Sequence, residues 1–501
     1  MRTSLLPPPG LRADRRTVAR LFAALAVQAG KPATATWTLY DTPDRRLWAA
    51  GLVLVQRARQ FSLHRRNRLG SGEPVASLTW RPSGPPRLLA AWPAGPLKQA
   101  LLPVVQVRAL LPLFSCQVER HPGVRLDDQG KTVVRLEAWL VSPGAGGRRL
   151  WLAVERLRGY GREQQVAVGA ALGRGWREAG DEPMALLVGE MLGEQAREMP
   201  DFPDGQAPAG AALRACLRQA VLRLAPLEKG VVDDIDTEFL HHHRVLLRRV
   251  RSLTAQFRSV FAEADALRLR AILAGWARCS NPVRDLDVWL LARDEHTALV
   301  PDVLRPGLEA LFAGIVRDRG EAHRVLAGHL SSPAHRAERA ELAVLLDRAG
   351  DGPDADQLLV RLAAQRTWKA YRRMAAEAAA VDAATPAEAV HQVRIRCKKL
   401  RYLLDACGAF TAPDDHQRLR EQLKAVQAAL GAFNDTSLQS AALLTRAGNA
   451  SAATQLAVGA LVGALDRQRL ALRDQVLLGL AELAAPVTRN RYRRLFRLKQ
   501  E

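Results

Sequence analysis

Two segments of this chain place basic side chains so that each would form one stripe on a helix, and each stripe opens with a histidine. In the first, His241, Arg244, Arg248 and Arg251 stand at i, i+3, i+7 and i+10. At 100° per residue these positions fall within about 80° of one another. In the second, His391, Arg394, Lys398 and Arg401 repeat the spacing. The opposite faces carry Leu246, Leu247, Val250 and Leu253, or Val393, Cys397, Leu400 and Leu403, and are expected to pack into a core. Neither 241–251 nor 391–401 contains an Asp or Glu. A solvated helix face gains from mixing signs at i,i+4, and these faces forgo that gain. Like charges stacked a turn apart repel, so their retention implies an anion that offsets the repulsion. Phosphate suits the role, because Arg meets it through a planar fork and Lys as a point charge.

The two stripes belong to a longer repeat. Residues 240–288 align with 390–438 without a gap, and eleven of the 49 positions are identical. Arg248-Arg249 face Lys398-Lys399, Arg268-Leu269-Arg270 match Arg418-Leu419-Arg420, and Asp285 matches Asp435. Such self-similarity is the mark of a duplicated structural unit. The equivalent positions of His241 and His391 favour a shared role, donating to phosphate or orienting Asp285 and Asp435. Those aspartates read as turn formers or caps in Asn281-Pro282-Val283-Arg284-Asp285 and Asn434-Asp435. The triplet His241-His242-His243 is not a metal site on this reading: consecutive helical residues diverge by about 100°, and no His follows at i+4.

The elements that must carry these stripes follow from periodicity. At 501 residues the chain should hold two or three domains. Residues 1–195 read as α+β. Strand alternation runs through Leu52–Arg59, Ala76–Arg81, Thr132–Val141 and Leu150–Leu157, and helices are expected at Arg15–Gln28 and Met184–Glu198. Pro, Gly and Asp break the pattern over Met199–Gly210, within a linker set at 196–210. Residues 211–501 read as all-α, with helices of roughly 15–25 residues and repeat halves at about 211–350 and 355–501.

Composition narrows the partners. The formal net charge of +22 attracts nucleic acid, anionic lipid or an inorganic polyanion without choosing among them. Five scattered cysteines with no C-x-x-C pair fit a reducing compartment. The apolar run Leu456–Leu465 is about half the ~20 residues a membrane span needs, so a soluble, cytoplasmic protein is expected. No G-x-x-x-x-G-K-[ST] loop supports ATP-dependent synthesis. The basic tail Arg489–Lys499, with Tyr492 and Phe496 interleaved, would suit nucleic acid or an anionic granule surface. Aromatics make up only 5% of the chain, however, and Tyr402 is the lone stacking residue beside either stripe, which ranks nucleic acid behind a polyanion.

With those residues in view, the C-terminal region from about 205 onward resembles the CHAD family, the conserved histidine α-helical domain. The resemblance is carried by HHHRVLLRRVR at 241–251 with PVRDLDV at 282–288, and by HQVRIRCKKLRY at 391–402 with FND at 433–435. It implies two four-helix bundles related by a pseudo-twofold axis, a basic channel between them, non-enzymatic binding of inorganic polyphosphate, and targeting to polyphosphate granules. It carries His241, Arg244, Arg248, Arg251, His391, Arg394, Lys398 and Arg401 over as channel residues, with Arg249, Arg270, Lys399, Arg420 and Lys424 as further candidates.

The N-terminal region resembles the CYTH, or triphosphate-tunnel, family through Tyr40-Asp41-Thr42-Pro43-Asp44, Arg46-Leu47, Ala50-Gly51-Leu52 and Leu78-Thr79-Trp80-Arg81. The resemblance implies an antiparallel, tunnel-like β-barrel and an anion site at Arg57, Arg59 and Arg81. Val55 stands where that family carries an Arg, and MRTSLLPPP has no acid where it carries an E-x-E-x-K strand. Metal-assisted hydrolysis needs carboxylates, and Glu137 and Glu155 are the acids left on strands. The reading is therefore a degenerate tunnel with no catalytic residue, metal or cofactor, and triphosphate or polyphosphate hydrolysis is the alternative.

Overall fold

A computed structural model describes residues 2–69, 72–80, 85–144, 147–196, 205–347, 351–408, 411–448 and 450–497. The chain divides into two compact units, Met1–Arg197 and Glu198–Glu501. Most of the expected linker, 197–204, lies outside the described residues, as does Arg81.

The first unit is built on one antiparallel sheet. Its strands are β1 (Arg2–Leu6), β2 (Gln28–Ala29), β3 (Ala33–Asp41), β4 (Leu52–Arg57), β5 (Gln60–Arg65), β6 (Ala76–Thr79), β7 (Leu111–Leu126), β8 (Thr132–Pro143), β9 (Arg149–Arg156) and β10 (Arg177–Glu178). The order across the sheet is β10-β1-β9-β8-β7-β3-β4-β5-β6, with β2 added to β7. The helices are α1 (Arg15–Ala24), α2 (Arg46–Ala49), α3 (Pro96–Val105), α4 (Gly161–Leu172) and α5 (Pro183–Ala196). Asp14 caps α1 by accepting from the Thr17 N–H.

The expected barrel is not formed: among the described residues no pairing joins β6 to β10. Closure requires edge strands long enough to share a ladder. These have four and two residues, and the β6 side instead packs Leu78 and Trp80 with Trp92, Leu97 and Leu101. The motif at 40–44 turns out to build a corner. Asp41 is buried at the end of β3, and its carboxylate accepts from the backbone N–H groups of Thr42, Leu47 and Trp48. Asp44 accepts from Arg46 at 2.8 Å.

The second unit is helical: α6 (Ala209–Leu222), α7 (Leu224–Val232), α8 (Thr237–Gln256), α9 (Glu263–Leu291), α10 (Arg293–Ala298), α11 (Arg305–Leu330), α12 (Pro333–Asp347), α13 (Leu359–Ala379), α14 (Ala387–Ala406), α15 (Pro413–Ala447), α16 (Ala452–Ala484) and α17 (Pro486–Phe496). The starts of α6 and α13, of α8 and α14, and of α9 and α15 are each 150 residues apart. An isolated backbone bridge joins Pro208 to Leu358, a pair with that same separation. The repeat in the sequence is thus a repeat in the fold.

Two expectations fail here. Helices reach 35 residues, because the segments read as turns are helical: Asn281–Asp285 lies inside α9 and Asn434–Asp435 inside α15. Pro282 costs α9 one backbone bond, and burial of Val283, Leu286 and Trp289 beyond it keeps the helix going. The tail aromatics are also not a stacking platform. Tyr492 and Phe496 are in the core, and Tyr492 stacks on Tyr371 with ring centroids 3.9 Å apart. The 3.6-residue period placed them there. No described helix is long and apolar enough to cross a membrane.

Candidate anion-binding site

The apolar backs of α8 and α14 pack as their spacing requires. Leu246, Leu247, Val250 and Leu253, and Val393, Cys397, Leu400 and Leu403, are all at most 3% exposed and belong to one continuous core. Burial of that back fixes the rotation of each helix and so aims its cations.

The two helices touch, and Arg248 Nε donates to the Tyr402 hydroxyl across them at 2.9 Å. Gln256 Nε2 also donates to the Lys399 carbonyl at 3.3 Å. Between α8, α9 and α14 lies a groove of about 730 Å³. It is lined by Arg248, Arg251 and Arg270 from the first repeat and Arg394, Lys398 and Lys399 from the second. Among the described residues no carboxylate lines it. Apolar side chains line it as well, among them buried Leu273 and exposed Leu267, together with Tyr402.

Six of the thirteen cationic or histidine positions expected from sequence therefore converge. The other seven line no part of the groove. Arg244 Nη1 donates to Ser280 Oγ at 2.8 Å and Asn281 Oδ1 at 2.6 Å, and burial lowers its pKa to about 10 despite nearby Asp285. His391 Nδ1 pairs with Asn434 Oδ1, and Asn434 Nδ2 reaches toward Asp435. His241 packs its ring against His242. Arg249 and Arg420 share Asp405, at 4.0 and 3.1 Å. Arg401 lies over the Tyr402 ring, and Lys424 is exposed on α15. A helical wheel cannot tell which part of a stripe meets a neighbour, and this is where the partition arises.

The electrostatics match an anion site. Lys398 is lowered to about 8, first by burial and then by Arg394 and Arg248 beside it. A lysine held this far down carries the cost of burying its charge and of the cations beside it. An incoming anion would relieve that cost.

The CHAD domain family matches residues 211–444, which span α8, α9, α14 and the groove. Those residues form a CHAD domain. The family is associated with polyphosphate binding. Among solved structures, the chain is similar to the CHAD domain from the plant Ricinus communis, at 23% identity over 55% of this chain and 93% of that one, with a TM-score of 0.47. It is also similar to PptA from Streptomyces chartreusis, at 20% identity over 55% of this chain and 99% of that one, with a TM-score of 0.45. No curated protein matches it significantly. In the CHAD domain the first repeat supplies α8 and α9 to the groove and the second supplies α14.

The sheet unit has a cationic cavity of its own. Its strands curl around a trough of about 1070 Å³ into which Arg2, Arg57, Arg68, Arg120 and Arg135 project with Glu137 and Glu155. Of the N-terminal residues expected from sequence, only Arg57 can be placed there. Arg59 is exposed in the β4–β5 turn and Arg81 lies outside the described residues. Arg57 lies 3.7 Å from the Trp37 ring centroid and is lowered to about 10 by burial and Arg120. Glu137 is already held. It accepts from Arg120 Nε at 2.7 Å, from Trp139 Nε1 at 2.9 Å and, more loosely, from Arg2. With Glu137 so occupied and Glu155 its one acidic companion among the described lining residues, the residues present do not fit the metal that a triphosphate tunnel implies. Sequence reading missed Arg2, Arg68, Arg120 and Arg135. The available signal was the alternation Arg135-Glu137-Trp139, which puts three side chains on one face of β8.

Proposed function

We propose that the CHAD domain binds inorganic polyphosphate in the groove between α8, α9 and α14, without cleaving it. One observation carries this reading: six cations drawn from both repeats line one groove, with no carboxylate among the described lining residues. A linear chain of phosphates presents a charge at each unit and needs neither base stacking nor apolar contact. The two repeat halves, as four-helix bundles related by a pseudo-twofold axis, would each supply a wall. Association with polyphosphate granules follows if successive stretches of one polymer engage many copies of the protein.

A competition titration tests the reading. Long polyphosphate should displace tripolyphosphate, ATP and RNA, and six neutralised phosphates should give a slope of log K against log[salt] of roughly −4. RNA that polyphosphate fails to displace would move the assignment to nucleic acid. Phosphate release from tripolyphosphate with Mg²⁺ or Mn²⁺ would establish hydrolysis instead.

A second reading concerns the sheet unit, as a degenerate triphosphate tunnel that retains binding of short oligophosphates. It rests on the five arginines lining the trough. Tripolyphosphate binding that survives charge reversal in the helical groove would support it.

A further inference from the structure

Beyond the anion groove, the helical unit contains a cluster of a different chemistry at the turn between α11 and α12. His329 is the penultimate residue of α11, and His335 and Glu338 lie one turn apart in α12. Ser331 and Ser332 connect the helices, and the Ser332 hydroxyl accepts from the His335 N–H at 3.1 Å. One ligand atom from each of His329, His335 and Glu338 lies within 4.8 Å of the others.

Several features go beyond proximity. His335 is fully buried, yet its Nδ1 has no hydrogen-bond partner, and His329 Nε2 has none either. The other nitrogen of His335, Nε2, stands 3.2 Å from both Glu228 Oε1 on α7 and Arg339 Nη2, and with its proton on Nε2, toward Glu228, the ring keeps the Nδ1 lone pair free. A carboxylate behind the distal nitrogen of a histidine is the usual support for a metal-binding ring, since it fixes the tautomer and orientation. Glu338 is supported in the same way: Trp276 Nε1 donates to its Oε2 at 2.6 Å, which leaves Oε1 uncommitted. Glu228 is itself only 4% exposed and is paired with Arg339, so the surrounding charge is balanced before any ion enters.

We propose that His329, His335 and Glu338 hold a divalent first-row transition ion, with Zn²⁺ the best match. Two imidazoles and a carboxylate are a sufficient set of three protein ligands, with the fourth position left to water. The ion would tie the end of α11 to the start of α12, while Trp276 of α9 and Glu228 of α7 orient its ligands from behind. In the helical region the sequence reading weighed only the triplet at 241–243 for metals. There His243 turns into this same region, 3.5 Å from Glu228, and makes no triplet site.

The test uses the full chain after chelator treatment, titrated with Zn²⁺ calorimetrically and with Co²⁺ followed by its visible absorption. One equivalent is expected, with Co²⁺ bands of nitrogen and oxygen coordination that Zn²⁺ abolishes. His329→Ala and Glu338→Gln should each weaken binding at least a hundredfold, and Glu228→Gln about tenfold to a hundredfold. His242→Ala should leave it unchanged. His335→Ala removes a fully buried ring and can fail to fold; the half-buried His329 and the conservative Glu338→Gln then carry the decision, with circular dichroism as the control. No stoichiometric binding by the native protein, or binding that both of those variants retain, overturns the proposal.

Discussion

The helical groove and the sheet trough are both lined by arginines, but they treat acid differently. The trough encloses Glu137 and spends Arg2 and Arg120 on it, whereas no carboxylate is among the described residues that line the groove. In the trough, cations and an acid from separate strands satisfy one another, and Arg57 is left against Trp37. In the groove, Arg394 reaches Asp435 at 3.3 Å behind the lining, while Lys398 faces Arg394 and Arg248 and has its pKa lowered first by burial and then by them. The number of arginines is therefore a poor guide to anion affinity. What matters is how many keep no internal counter-charge.

The strongest test of this contrast is charge reversal. Arg248→Glu with Lys398→Glu should cost polyphosphate affinity at least a hundredfold, about 2.7 kcal/mol, while tripolyphosphate binding in the trough is kept. Equal loss at both cavities would break the distinction. Next is pH. A bound polyanion raises the Lys398 pKa above its value of about 8 in the free protein. The favourable term is then complete below pH 8 and is lost as pH rises toward the bound-state pKa, by up to about tenfold per unit. Isothermal titration from pH 7 to 10 should show the fall, and Lys398→Arg should flatten it. In the trough, Arg57→Ala should weaken tripolyphosphate about tenfold and leave polyphosphate in the groove unchanged within about twofold. The smallest effect is Tyr402→Phe. It removes one hydrogen bond to Arg248 and should cost about threefold in polyphosphate affinity, read in the same titration.

The two cavities also differ in how far the sequence discloses them. A stripe on a helix is a local object: the spacing from His241 to Arg251 sets its direction, and buried Leu246 and Val250 confirm the phase. The neighbour it faces is not local, so Arg244 and His391 read as channel residues although they bind Ser280, Asn281 and Asn434. The trough is non-local throughout. Arg2, Arg57, Arg120 and Arg135 come from four strands, and their convergence depends on pairings across as many as 153 residues, as between Arg2 and Glu155. The longest strand, β7, also hides behind Pro112, Pro122 and Gly123, which read as breakers. Its Gly123 is required, because a Cβ there would lie 2.4 Å from the Val27 side chain. The expected barrel failed for a related reason, since periodicity reveals strands but not whether the first and last will meet.

The Arg248–Tyr402 bond has a kinetic consequence. It joins the two walls before any ligand arrives, so the groove has no need to open or shut around a polymer. Release then depends on mobile salt ions replacing phosphates one by one, in the manner of an ion-exchange resin. Residence time should shorten steeply with ionic strength, and a short chain should leave far sooner than a long one that can lose one contact while holding the rest.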